Sequence, residues 1–265
     1  MKPLKEIQCF ALDMDGTVYL GDKILPGVLD FLDYLQRTGR DFLFMTNNSS
    51  KDATYYANKL ASLGIHCSEK NILTSGEATA LYLKNIKKCK TVFLVGTPVL
   101  EEEFKKHGFI LTKDNPEYVV LGFDMTLTYD KLVIACDLIR SHTPFIATHP
   151  DYNCPTEIGY IPDCGAITAL IKASTGIDPQ VIGKPNKEIV DAMLTKKMYS
   201  LEQMAMVGDR LYTDVATGCN AGMVSILVLS GESKMSDVAM SAFKPDHIFD
   251  DLGGLAQALL VSDQK

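Results

Sequence analysis

Tryptophan is missing from this 265-residue chain, and aromatic residues make up only 8% of it. No stretch stays apolar over the ~20 residues that a bilayer-spanning helix needs. The N-terminus shows no signal-peptide h-region, so a cytoplasmic protein without a membrane partner is expected. No C-x-x-C pair occurs. The seven cysteines (Cys9, Cys67, Cys89, Cys136, Cys154, Cys164 and Cys219) are odd in number and scattered, which fits reduced thiols better than a disulfide framework. Zinc is disfavoured because the spacing of His149, Cys154 and Cys164 matches no zinc template. Positive charge is in deficit as well: a formal charge of −7 argues against nucleic acid and anionic lipid as partners. There is neither an internal repeat nor a low-complexity linker, and the length allows a large core in one domain or two.

What the chain does contain is a regular alternation of apolar runs and helical patterns, the signature of an α/β protein with a mainly parallel sheet. Ile7 to Leu12 reads as a buried strand broken by Gly16. The spacing of Val28, Leu29, Leu32 and Leu35 predicts a helix over 28–37, stopped by Gly39. A strand follows at 41–45 and a helix at 53–63, closed by Gly64. Near the C-terminus, strands are predicted at 204–207 and 224–228 around a helix over about 214–221. These segments make a doubly wound, Rossmann-like core in two parts, 1–81 and 179–265. Between them, 82–178 repeats the alternation as an inserted α/β unit, with strands at 91–95, 118–121 and 144–147 and helices at 98–106, 130–141 and 166–174.

Four motifs fall at the carboxyl ends of predicted strands, where open α/β sheets place their ligands. Asp13-Met14-Asp15-Gly16-Thr17 offers two carboxylates suited to a hard cation and a phosphate, and one of them could attack phosphorus. Alone, it is equally an acidic strand-to-loop turn. Thr46-Asn47-Asn48-Ser49 provides hydroxyl and amide donors ahead of a helix N-terminus, a phosphate cradle or simply a helix cap. Gly183-Lys184-Pro185 places a cation that could offset a carboxylate and a transferring phosphoryl group, or an exposed lysine. Gly208-Asp209-Arg210-Leu211-Tyr212-Thr213-Asp214 could complete a magnesium site through Asp209, with Asp214 supporting it, or be an acid-rich helix start. The order of all four at strand ends selects the active-site reading.

With these motifs the chain resembles the haloacid dehalogenase-like phosphatases, specifically the NagD or 4-nitrophenylphosphatase type with a large cap after the second motif. The resemblance extends to Ala147-Thr148-His149-Pro150-Asp151 and Pro162-Asp163-Cys164-Gly165-Ala166 in the cap, and to Ile226-Leu227-Val228-Leu229-Ser230-Gly231. It implies a Mg2+-dependent phosphatase in which Asp13 is the nucleophile and Asp15 the general acid and then base. Asp13, the backbone carbonyl of Asp15, and Asp209 would bind the metal. Thr46 and Asn47 would hold the phosphoryl oxygens, and Lys184 would steady the charged intermediate. Near the leaving group the cap motif implies His149, Asp151, Asn153, Asp163 and Cys164, although Asp163 equally reads as the N-cap of the following helix and Cys164 as a small buried residue. His149 stands where this subfamily often has asparagine, and equally reads as a loop histidine at a strand end.

The expected substrates are small phosphorylated metabolites, sugar phosphates or nucleoside monophosphates, since a large cap should exclude phosphoproteins. A dehalogenase needs neither a second acid nor a metal, so Asp15 and Asp209 disfavour it. A phosphotransferase on the same scaffold stays open, as does a non-catalytic metabolite-binding regulator, although the latter would be expected to lack one of Asp13, Asp15, Lys184 or Asp209. Oligomeric state is not legible.

Overall fold

The computed structural model describes residues 3–156 and 159–264. The chain divides into two compact units. One comprises the segments up to Thr46, Tyr56–Leu73, and from Met193 onward. The other comprises Asn47–Tyr55 and Thr74–Ala192.

The first unit is built on a six-stranded sheet in the order His247–Phe249, Val224–Val228, Met204–Gly208, Cys9–Asp13, Asp41–Thr46, Ile72–Thr74. From His247–Phe249 to Asp41–Thr46 the strands pair in parallel, with Cys9 opposite both Met204 and Asp41. The central strands are apolar on both faces: Phe10, Leu12, Leu43, Phe44, Met206, Val207, Ile226 and Leu227 are all fully buried. Helices covering both faces of a parallel sheet produce this continuous apolar pattern. The chain winds outward from Cys9–Asp13 to Asp41–Thr46 and Ile72–Thr74. It then returns to the other side of Cys9–Asp13 with Met204–Gly208. The order therefore reverses beside Cys9–Asp13, which makes the carboxyl ends of that strand and of Met204–Gly208 a topological switch point. The expected doubly wound α/β architecture is what the chain adopts.

Helix boundaries follow local chemistry. Val28–Thr38 ends where Gly39 takes a left-handed conformation, φ +70°, and returns its N–H to Gln36 and Leu35 carbonyls. Glycine reaches such a φ without a steric cost. The predicted helix over about 214–221 is different. It is preceded by a loosely wound turn, Leu211–Val215, in which Val215 N–H reaches back five residues to Arg210 O, and only then continues as Ala216–Ala221.

The second unit holds a parallel five-stranded sheet, ordered Gln180–Val181, Phe145–Ala147, Tyr118–Leu121, Thr91–Val95, Ile110–Leu111. Its helix Pro98–Lys106 starts as the sequence predicts, with proline in the first turn and the Thr97 hydroxyl accepting from Leu100 N–H. A two-stranded antiparallel ribbon, Asn153–Thr156 with Gly159–Pro162, stands beside helix Cys164–Thr175. Gln180–Val181 pairs with Ile146 and Ala147, so this unit's sheet extends past residue 178.

Candidate active site

Parallel pairing puts Leu12 opposite Val207, so the chain leaves the sheet at Asp13 and Asp209 on adjacent strands at the switch point. There Asp13, Asp209 and Asp214 present carboxylate oxygens that all lie within 4.8 Å of one another. Asp209 and Asp214 are buried and Asp13 is half-buried. Glycines make this approach possible. A Cβ on Gly208 would lie 2.3 Å from three side-chain atoms of Asp214. A Cβ on Gly16 would lie 2.5 Å from Asp209 Oδ2, and one on Gly231 only 2.0 Å from the same oxygen.

The Asp209 carboxylate is fixed by main chain: Glu232 N–H donates to its Oδ2 at 2.6 Å, and Ser233 N–H donates to its carbonyl at 3.1 Å. The Ser230 hydroxyl donates to Gly16 O at 2.8 Å, which ties the Ser230–Ser233 segment to the Asp13–Thr17 turn. Asp214 accepts from Arg210 N–H at 3.1 Å. Burial, and next the charge of Asp214, push the Asp209 carboxyl up to about 6. Three acids clustered in this way form an all-oxygen donor set of carboxylates that suits a hard divalent cation.

Asp15 is exposed, and its Oδ2 accepts from Tyr19 OH at 3.4 Å. It is therefore free of the burial that confines Asp209. Thr46, buried, ends the strand beside Asp13, with Met45 opposite Asp13. One charged residue at this edge was not singled out by sequence reasoning. Arg210 is half-buried, with its Nε 2.9 Å from Glu232 Oε2 in an ion pair. Burial pulls its guanidinium pKa down, but Asp13, followed by Tyr212, Glu232 and Asp209, more than offsets this and the net shift is upward. The available signal was a fixed cation directly after Asp209 in a cluster of acids.

In the second unit Asn47 and Lys184 come together, both buried. Lys184 N–H donates to Asn47 Oδ1 at 2.8 Å, and Asn47 Nδ2 donates to Lys184 O and to Asp151 Oδ2, each at 3.1 Å. The Asn47 side chain thus holds the lysine's backbone. Gly183 is required beside it, since a Cβ there would sit 2.7 Å from Asn47 Oδ1 and from Thr148 O. Of the residues expected near a leaving group, His149, Asp163 and Cys164 are buried, Asp151 is half-buried, and Asn153 is exposed on the ribbon. His149 Nε2 lies 2.8 Å from Asp163 Oδ1, and Asp163 also caps helix Cys164–Thr175 by accepting from Cys164 N–H at 2.6 Å. Burial pushes the Cys164 thiol up to about 12, so it is an inert core residue.

Comparison with known proteins gives a consistent answer. A family model described as haloacid dehalogenase-like hydrolase matches residues 10–110, and a second, HAD-hydrolase-like model matches 181–255. An acid sugar phosphatase from Staphylococcus aureus (strain MRSA252) is 36% identical over 250 residues, 94% of this chain and 96% of that protein. The structure of 4-nitrophenylphosphatase from Thermotoga maritima superposes with a TM-score of 0.91 at 50% identity, covering 97% of this chain and 98% of the other. NagD from E. coli K-12 superposes at 0.88 with 32% identity, over 93% and 97% of the two chains.

Proposed function

Because the chain belongs to the haloacid dehalogenase-like hydrolases, of the NagD and 4-nitrophenylphosphatase type, we propose that it is a Mg2+-dependent phosphatase of small phosphomonoesters, with sugar phosphates foremost and nucleoside monophosphates next, acting through an aspartyl-phosphate on Asp13. The observation that carries this reading is the convergence of Asp13, Asp209 and Asp214 at the switch point of the sheet. Asp13, Asp209 and the backbone carbonyl of Asp15 would hold Mg2+, with Asp214 behind them, and the cation would offset the repulsion between carboxylate and phosphate dianion.

The chain's own groups supply the remaining steps. An Asp13 oxygen forms the bond to phosphorus while the ester oxygen departs, taking a proton from Asp15. Asp15 sits at the exposed end of the Asp13–Thr17 turn, where a leaving group and water can reach it. It then removes a proton from the water that attacks phosphorus, releasing phosphate and restoring Asp13. The Thr46 hydroxyl and the donors of the Asn47 turn bind phosphoryl oxygens, and the Lys184 ammonium neutralises the charge that builds on them. Arg210, whose pKa Asp13 raises, adds a fixed positive charge near the Asp13 carboxylate. In this reading residues 82–178 form the cap, and Asp151 and Asn153 are the cap candidates left to contact the leaving group.

The test is phosphate release from a panel of sugar phosphates, nucleoside monophosphates and 4-nitrophenyl phosphate, with Mg2+ and with chelator. Asp13→Asn serves as the control. Metal-dependent release abolished in Asp13→Asn is expected, whereas release that persists in Asp13→Asn would sink the aspartyl-phosphate.

A further inference from the structure

A buried run of hydrogen bonds in the second unit has no part in the chemistry described above. Phe123 N–H donates to Ser49 Oγ at 2.9 Å. Ser49 Oγ lies 2.9 Å from Thr148 Oγ1, and Thr148 Oγ1 lies 2.9 Å from His149 Nδ1. On the far side of the ring, His149 Nε2 lies 2.8 Å from Asp163 Oδ1. Ser75 Oγ, 3.3 Å from His149 Nδ1, donates to the backbone carbonyl of Asn47. Ser49, Ser75, Thr148, His149 and Asp163 are all buried, His149 completely.

The directions of these bonds follow from the donors available. When the ring carries a single proton, a carboxylate partner places it on Nε2 and leaves Nδ1 an acceptor. Ser49, already accepting from Phe123 N–H, can give its proton to Thr148, and Thr148 can give its own to Nδ1. The Ser49 and Thr148 hydroxyls then each have a donor and an acceptor, while Ser75 gives its proton to Asn47 O. Such a buried network specifies one arrangement of the segments it joins. Those segments are the Asn47–Ser50 turn, whose Asn47 side chain grips the Lys184 backbone, and the turn after strand Phe145–Ala147. The fit leaves no slack, because Gly183 N–H donates to Thr148 O at 2.7 Å and a Cβ on Gly183 would lie 2.9 Å from His149 Cβ.

We propose that His149 is a positioning residue: with Asp163 behind it and Thr148 in front, it holds the Asn47 turn and Lys184 in the geometry that binds the phosphoryl group in the transition state, and does not select the leaving group. This deepens, and rests on, the reading that Asn47 and Lys184 serve the phosphoryl group.

The experiment compares wild type, His149→Ala, Thr148→Val and the double variant on esters with different leaving groups, measuring kcat, KM and inhibition by orthovanadate, which mimics pentacoordinate phosphorus. Thr148→Val removes only the hydroxyl link and keeps the test open if His149→Ala does not fold. Both single variants should lose about 10- to 100-fold in kcat/KM, by the same factor for every ester, and vanadate should weaken in proportion. The double variant should be no worse than His149→Ala, since the two residues act as one unit. A changed rank order of esters, a wild-type-like Thr148→Val, or single effects that multiply would overturn the assignment. Wild type inactive on every ester would instead overturn the phosphatase reading on which it rests.

Discussion

Gly231→Ala isolates what holds Asp209 in place. The backbone at Gly231 is not in the left-handed region, so the substitution adds no conformational strain; its whole effect is the new methyl group, 2.0 Å from Asp209 Oδ2 and 2.5 Å from its Cγ. Ordinary contact begins near 3.4 Å, so carboxylate and methyl must separate by about 1.4 Å, comparable to the ~1 Å misplacement that can cost 10²-fold in rate. Retreat is blocked, because Glu232 N–H holds Oδ2 at 2.6 Å and Gly16 closes in from the other strand. We expect kcat/KM to fall by about 10²-fold or more and half-saturation by Mg2+ to rise, together with the ~1–3 kcal/mol of stability that overpacking costs. Gly222→Ala is the matched control. There φ is +76° and nothing lies within 4 Å, so the strain of roughly 1–2 kcal/mol should lower stability without touching turnover. Phosphate release across a Mg2+ titration, together with urea unfolding of both variants, measures the two effects separately. Gly231→Ala with wild-type turnover and wild-type Mg2+ response would refute the claim that this loop sets the Asp209 carboxylate.

Asp13→Asn should abolish turnover, by more than about 10³-fold, with an unchanged circular dichroism spectrum and melting temperature. Because Asp209 is raised from 3.8 to about 6 in the folded chain, the metal-free fold binds the extra proton between those values; its stability should fall as pH rises from about 4 through 6. Melting with chelator and with excess Mg2+ should then show metal stabilisation at about pH 8 that fades at about pH 5, where protons compete for the carboxylate. Cys219 is exposed, whereas burial pushes Cys9 and Cys164 up to about 12 and Cys89 to about 11. Brief alkylation of native protein at about pH 8, read by mass spectrometry, should therefore label Cys219 and leave Cys9, Cys89 and Cys164 unmodified. The same three thiols should make stability decline above about pH 9, as the unfolded chain ionises first.

How much of this was legible depends on the range over which each cause acts. The Val28–Thr38 helix could be read to within one residue because its causes are local: leucines at helical spacing and a glycine at the C-terminal stop. Asp13 and Asp209 were legible because each follows a short apolar strand, and strand ends are where α/β chemistry sits. Gln180–Val181 is too short for its pattern to say which sheet it joins; that is decided by Ile146 and Ala147, more than thirty positions away. Gly231 ends a motif that carries the resemblance, but nothing local says why it must be glycine; the reason is an oxygen of Asp209 across a loop.

His149 shows the limit most clearly. In sequence it is a histidine after a strand, next to a proline, and a polar residue in a cap motif is naturally placed facing a substrate. Its surroundings favour the other reading, a buried histidine with both ring nitrogens engaged. Asp163 arrives from fourteen residues on, Ser75 from seventy-four residues back, and through Thr148 it meets Ser49, ninety-nine residues from that threonine. Only the fold assembles those partners, and once assembled they satisfy both ring nitrogens and leave none for a ligand. A buried polar group with all its hydrogen bonds made acts on chemistry only through what it holds in place. Here it holds the Asn47 turn. On this proposal Asp151 and Asn153, the half-buried and exposed members of the same motif set, are the candidates for substrate selection, and substitutions there, unlike those at His149, should reorder the substrates.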